Sequence, residues 1–121
     1  MNIYKKLKSS IDRAKNHPNN VGTYISDVLD ELPSSEKFGL RSQISKCAIS
    51  VPSNIAEGSS RSSNKEFGHF LSIALGSLFE LETQLLLTVE LDFIEAGRLG
   101  QLLKDIIQLQ KKIVAFKKTL K

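Results

Sequence analysis

The amino-acid sequence predicts an all-α protein: an antiparallel up-down four-helix bundle over residues 20–121, preceded by a short basic N-terminal helical extension over residues 1–19. Three observations carry this reading. Apolar residues recur in alternating steps of three and four along almost the whole chain, the spacing that keeps one seam of a helix against a partner. No segment sustains the period-two alternation of a strand. The connections between periodic stretches are only a few residues long, which favours antiparallel neighbours.

The elements follow in order. In residues 1–17, Tyr4, Leu7, Ile11 and Ala14 make one apolar stripe among Lys5, Lys6, Lys8, Arg13 and Lys15, the pattern of a basic amphipathic helix. Asn16 to Asn20, with Pro18 between them, separate it from the next helix. The first bundle helix, predicted over 20–32, carries Val21, Ile25, Val28 and Leu32 and stops at Pro33, Ser34 and Ser35. The second, over 37–57, carries Leu40, Ile44, Cys47, Val51 and Ile55. Pro52 lies inside it, where its missing N–H removes a hydrogen bond and predicts a kink. Gly58 is placed to take the left-handed position after Glu57. Ser63 and Glu66 read as a capping box opening a third helix, 64–91, whose seam is Phe67, Leu71, Ala74, Leu78, Leu81 and Leu85. Asp92 to Glu95 form a short break. The fourth helix, 95–120, repeats Leu99, Leu102, Ile106, Leu109, Ile113, Phe116 and Leu120, with Gly97 and Gly100 weakening its start.

Composition narrows the function classes. The chain has 121 residues, one domain's worth, with a formal net charge of +4 and an apolar fraction of 40%. Its longest aliphatic run is Leu85-Leu86-Leu87, and no stretch of consecutive apolar residues approaches the roughly 20 of a membrane span. The charged N-terminus has no apolar core of the secretory kind, so the expected location is cytoplasmic, with no membrane partner. A single cysteine, Cys47, excludes an internal disulfide and a cysteine-based zinc cage.

Two of the helices carry more apolar surface than one seam requires. Beside the third helix's seam lie Phe70, Ile73, Leu75, Phe79, Leu86 and Leu87; the fourth adds Leu103, Ile107 and Val114. A soluble helix needs one apolar stripe, and each Leu or Phe withdrawn from water gains roughly 1.5–3 kcal/mol. A second face buried between copies of the chain is therefore expected, against the alternative of one wide stripe inside a monomer.

Charge is unevenly distributed. Residues 1–20 carry five cations and one anion, residues 67–97 carry five anions and no cation, and residues 98–121 carry seven cations against Asp105 alone. Such segregation either balances neighbouring helices or makes a cationic surface for phosphate backbones. The one aromatic residue among the C-terminal lysines, Phe116, belongs to the apolar seam, so base stacking is not indicated. The segment Gly58-Ser59-Ser60-Arg61-Ser62-Ser63, with Lys65 in the first turn beyond it, reads either as a plain capped connection or as a place where backbone N–H groups and two cations hold a phosphate.

Reactive constellations are sparse. Glu66 and His69 have the Glu-x-x-His spacing of ferritin-like di-iron helices, but the only other histidine, His17, has Ala14 three residues before it, so one chain does not complete such a site. Neither histidine neighbours Cys47 in sequence, and there is no Gly-x-x-x-x-Gly-Lys or Gly-x-Gly-x-x-Gly phosphate loop. No metal, no cofactor and no enzymatic activity are expected.

Ser42-Gln43-Ile44, Ser50-Val51-Pro52-Ser53-Asn54-Ile55-Ala56-Glu57-Gly58, Lys65-Glu66-Phe67 and Ala74 through Leu85 occur in that order between Leu40 and Leu85. This run resembles the 23S rRNA intervening-sequence protein family, the small bacterial four-helix-bundle proteins, which carry a proline inside the second helix. The resemblance implies a homopentameric ring of antiparallel bundles, a cytoplasmic location and no catalysis. The family is similar in architecture to the accessory variability protein of diversity-generating retroelements, a basic pentamer that binds nucleic acid and a reverse transcriptase. RNA or DNA, other copies of the chain and a protein such as a reverse transcriptase are the partners so implied. Two departures stand out. Ser45-Lys46 replace the paired arginines that often follow Ser-Gln-Ile, and the family's tryptophan-bearing first helix is not recognisable upstream of Val21.

The expected function is thus a non-enzymatic, oligomeric nucleic-acid-binding or RNA-associated accessory protein that binds phosphate backbones through basic surfaces of a pentameric ring. Arg41, Lys46, Arg61, Lys65, Lys111, Lys112, Lys117 and Lys118 are the expected phosphate contacts. The alternative is an oligomeric interaction scaffold with no nucleic-acid role.

Overall fold

A computed structural model describes residue 25 and residues 28–36 and 39–120. Among them every regular element is helical and no strand occurs. Residues 28–31 are helical, a 3-10 turn spans Ser34–Glu36, and three long helices follow: α1, Leu40–Ser59; α2, Asn64–Glu90; and α3, Ala96–Lys117. The extension expected over residues 1–19 and the start of the first bundle helix lie outside the described residues.

The apolar seams read from the sequence form one core. Ile44, Cys47, Val51 and Ile55 of α1 meet Leu71, Ala74, Leu78, Leu81 and Leu85 of α2 and Leu99, Leu102, Ile106 and Ile113 of α3. Ile25, Val28, Leu32 and Ile94 complete it. On α3 the seam slips by one residue. Gln110, 6% exposed, occupies the place expected for Leu109, which is half-buried. Strict alternation of threes and fours has a period of 3.5, whereas the helix turns every 3.6 residues, so the inward face drifts along the sequence. The amide is tolerated there because Gln110 Nε2 donates to Glu82 Oε1 at 3.2 Å.

Polar contacts set the register of α1 and α2. The Ser50 and Ser77 hydroxyls are 2.7 Å apart, and Cys47 Sγ donates to Glu80 Oε2 at 3.6 Å. Partners descend along α2 as they ascend along α1. Gly58 departs from expectation: it lies within α1, and among the described residues no glycine has a positive φ. Its role is steric. A Cβ there would stand 2.8 Å from Phe70 Cβ and 2.9 Å from Phe67 Cδ1, so only glycine lets the two helices approach this closely. The helix ends slightly later, where the Ser59 and Ser60 hydroxyls donate to the carbonyls of Ala56 and Glu57. α1 also runs through Pro52 as one helix; beside it Asn54 Nδ2 donates to the Ser50 carbonyl at 2.8 Å.

α2 starts as expected, with Ser63 Oγ accepting from the Glu66 N–H at 3.2 Å. Its far end turns through Asp92, whose φ of 61° is the left-handed conformation. The N–H groups of Phe93 and Ile94 both donate to the Thr88 carbonyl, which folds Ile94 back into the core. α2 and α3 meet through the Phe67 and Phe116 rings, 5.6 Å between centroids, and through Lys117 Nζ donating to Ser72 Oγ. Residues 28–31 are tied on by Asp30–Arg41 and by Glu31 Oε1, which accepts from both Nε and Nη2 of Arg98.

Much apolar surface stays outside this core. Ile73, Phe79, Leu86, Leu87, Ile107 and Val114, all expected on a second face, are 38–50% exposed, whereas Leu75 and Leu103 pack against the core. α2 is also long and apolar enough to cross a membrane, with mean hydropathy 1.4 over its best window. Uninterrupted runs do not register this average. The buried seam and the exposed leucines and phenylalanine share this helix, and polar residues spaced between them break every run while leaving the average high.

Candidate nucleic-acid interface

The fold sorts charge along its length. The α1–α2 turn, the start of α2 and the end of α3 share one end of the molecule. Phe67 against Phe116, Ser72 against Lys117, and Leu120 beside Gly68 fix this. Among the described residues four cations gather there, Arg61, Lys65, Lys117 and Lys118, against the carboxylates Glu57 and Glu66, while Lys111 and Lys112 stand further along α3, near the level of Glu80. Toward the other end, among the described residues, Asp30, Glu31, Glu36, Glu90, Asp92 and Glu95 outnumber Arg41 and Arg98. Helix order causes the segregation: the basic half of α3 lies beside the start of α2, and the acidic half of α2 beside the start of α3.

The structure thus brings four of the eight expected phosphate contacts, Arg61, Lys65, Lys117 and Lys118, to one end, leaves Lys111 and Lys112 further along α3, and sets Arg41 and Lys46 on α1. Arg41 pairs with Asp30 at 3.5 Å, and Lys46 is exposed on α1 next to the Cys47–Glu80 contact. Within the basic end and along α3, the cations differ in freedom. Arg61 is held by Glu57 and stacks over Phe70, 4.8 Å from the ring centroid, so its guanidinium is preorganised. Lys117 is anchored to Ser72, while Lys65, Lys111, Lys112 and Lys118 project into solvent.

A shallow recess at the turn is lined by Arg61, Ser63, Lys65, Glu66, His69 and Phe70. The sequence singles out this place as a possible phosphate cradle. Glu57 and Glu66 nearly cancel its two cations, and the Ser63 hydroxyl accepts the Glu66 N–H as a helix cap. The uncompensated positive surface is the lysine-bearing end of α3. Phe70, which the sequence assigns to a second apolar face, is instead the platform for Arg61; its nine-residue distance from Arg61 bridges the turn and leaves no periodic signal for that role.

Among the described residues no three His, Cys, Asp or Glu side chains converge as a metal site. Burial pushes the Cys47 thiol up from its ordinary value, and the Glu80 carboxylate pushes it further, which disfavours the thiolate.

Fold and charge together define a small helical-bundle protein with one cationic end. The family model for the 23S rRNA-intervening sequence protein matches residues 6–115, and the chain belongs to that family. The match begins inside the basic N-terminal segment and takes in α1, α2 and most of α3. No curated protein matches the chain.

Proposed function

We propose that this protein is a non-enzymatic, RNA-associated accessory protein of the bacterial cytoplasm that holds phosphate backbones against the basic end of an oligomeric ring. Each subunit is an antiparallel up-down four-helix bundle, and the ring has five copies. The observation that carries the reading is the gathering of Arg61, Lys65, Lys117 and Lys118 at one end of a bundle whose other end is acidic, with Lys112 exposed further along α3. Repeated around a ring axis, this end concentrates positive potential on one face, which attracts a polyanion and orients it. Family membership supports the RNA association. Phe116, the aromatic residue among the lysines of α3, packs on Phe67 instead of facing outward with them, so contact is to phosphates and reads no sequence.

Filter binding to structured RNA and to duplex DNA over a salt series tests it. Affinity should fall linearly with salt on logarithmic axes, and replacing Lys112 and Lys118 by Gln should reduce the slope by roughly 0.7–0.9 per contact removed. No binding at about 50 mM salt would overturn the reading. The exposed apolar residues of α2 and α3 favour a second reading, an oligomeric scaffold for another protein. That reading predicts oligomers without salt-dependent RNA affinity.

A further inference from the structure

The ring reading leaves open which surfaces meet, and the arrangement of exposed side chains on α2 and α3 answers it. Along α3, Lys104, Lys111 and Lys118 are all exposed and recur every seven residues, so they form a line parallel to the helix axis. Ile107 and Val114, 39% and 38% exposed, form a second line between it and the contact with α2. On α2, Phe79 and Leu86 continue the line begun by Ser72, which touches Lys117. The α2–α3 face is therefore an apolar strip edged by lysines. Across α2 lies a different line, Ile73, Glu80 and Leu87, also exposed and seven residues apart. It belongs to the α1–α2 face, where Glu80 meets Cys47. That face is apolar with an acidic centre. Only 28% of the most apolar window of α2 is buried within one chain, so the helix has surface left for both faces.

Resting on the ring reading, we propose that copies meet head to tail: the α2–α3 face of one packs on the α1–α2 face of the next, with Lys111 against the neighbour's Glu80. The heights agree. Ser72 with Lys117 and Glu82 with Gln110 put Glu80 level with Lys111, and put Ile73 and Leu87 within about one turn of Val114 and Ile107. Copies related by an axis along the bundle keep equal heights, so each apolar residue meets an apolar one and the lysine meets the carboxylate. Lys46, on α1 beside Cys47, stands at the same height and keeps the neighbour's lysine line on the α2 side. Closure follows from shape. Neighbouring sides of a four-sided bundle have outward normals about 90° apart, and a head-to-tail contact closes with four copies at about 90° and five at about 108°. An isologous contact, the same face on both copies, would stop at two.

Sedimentation equilibrium of the full chain at micromolar concentration tests this, with helicity checked by circular dichroism. Wild type should show the mass of a closed ring. Lys111→Glu should weaken association by at least about tenfold, Glu80→Lys likewise, and the exchanged pair K111E/E80K should restore the ring. Glu80 also accepts from Cys47, so Ile107→Glu and Ile73→Glu serve as independent breaks, each giving folded monomers. A wild-type ring indifferent to K111E and I107E would overturn this contact while leaving the ring reading intact. So would single variants that dissociate but an exchanged pair that stays apart. A wild-type monomer at every concentration would overturn both, and its flotation with lipid vesicles would assign the apolar faces to a bilayer instead.

Discussion

The two seams that α2 makes differ in kind. Against α1 it approaches closely: Gly58 lies under Phe67 and Phe70, and the Ser50–Ser77 and Cys47–Glu80 contacts bring small polar groups together across the helices. Against α3 it is held off by larger groups, the Phe67 and Phe116 rings and the Gln110–Glu82 pair, and the outer edge leaves Phe79, Leu86, Ile107 and Val114 in water. One helix thus makes a tight, register-fixing seam on one side and a wider, greasier one on the other. The tight seam specifies which helices pair and at what height. The wide one keeps apolar area for a further contact.

The sharpest way to break this comparison is to remove a core side chain from each side. Leu85→Ala and Leu102→Ala both empty fully buried positions, and such losses run from about 2 to 5 kcal/mol, depending on how far the surroundings collapse. If the α2–α3 seam is the more adaptable, Leu102→Ala lies toward the lower figure and Leu85→Ala toward the upper. Urea denaturation of both variants measures it, and the reverse order would contradict the distinction.

A smaller effect sharpens it. Gly58→Ala inserts a methyl group 2.8 Å from Phe70 Cβ, an atom fixed to the backbone, so the helices must move apart. A loss of about 1–3 kcal/mol is expected from such overpacking. Gly100, on exposed α3, has nothing within 4 Å of an added Cβ and no positive φ, so Gly100→Ala should stabilise by about 0.4–1 kcal/mol. Equal effects at the two glycines would mean that the close approach of α1 and α2 carries no steric load.

These contrasts show what the sequence makes legible. Period and punctuation place α1, α2, α3 and nearly every core residue, because a buried seam must repeat with the turn of the helix. The same reasoning misplaces Gly58: a glycine after a helical pattern reads as a left-handed stop, and its steric use depends on Phe70, which another helix supplies. It misplaces Gln110 because the drift of the inward face accumulates over several turns. Charge by segment makes the basic α3 visible. It does not show that Arg61, Lys65, Lys117 and Lys118 share one end while Arg41, Lys46, Lys111 and Lys112 stand away from it, since that depends on which helix ends share one end of the bundle.

A third test concerns the tight seam and alkaline pH. Burial, and then Glu80, raise the Cys47 thiol above its ordinary value of 9.0, so the folded chain holds its proton where the unfolded chain releases it. This term leaves stability unchanged below that value and lowers it as pH rises beyond. Thermal melts of wild type and Cys47→Ala between neutral and alkaline pH measure it. Wild type should lose more stability than the variant over the alkaline span, and parallel curves would mean that the thiol is no more buried than a surface group.

The smallest expected effect belongs to the Arg98–Glu31 contact, which ties the helical residues 28–31 to the start of α3. The geometry is good, with Nε and Nη2 both donating to one carboxylate oxygen at 3.0 and 2.8 Å. Both side chains are nevertheless about two-fifths exposed, so water competes for the charges and salt screens them. Arg98→Gln should therefore cost no more than about 1 kcal/mol, and less in high salt. A loss near that of Leu85→Ala would mean that the ion pair, rather than Val28 and Leu32 in the core, attaches the N-terminal helical residues. The wider seam of α3 would then depend on a charge contact made from outside it, and the contrast between the two seams of α2 would have to be redrawn around electrostatics.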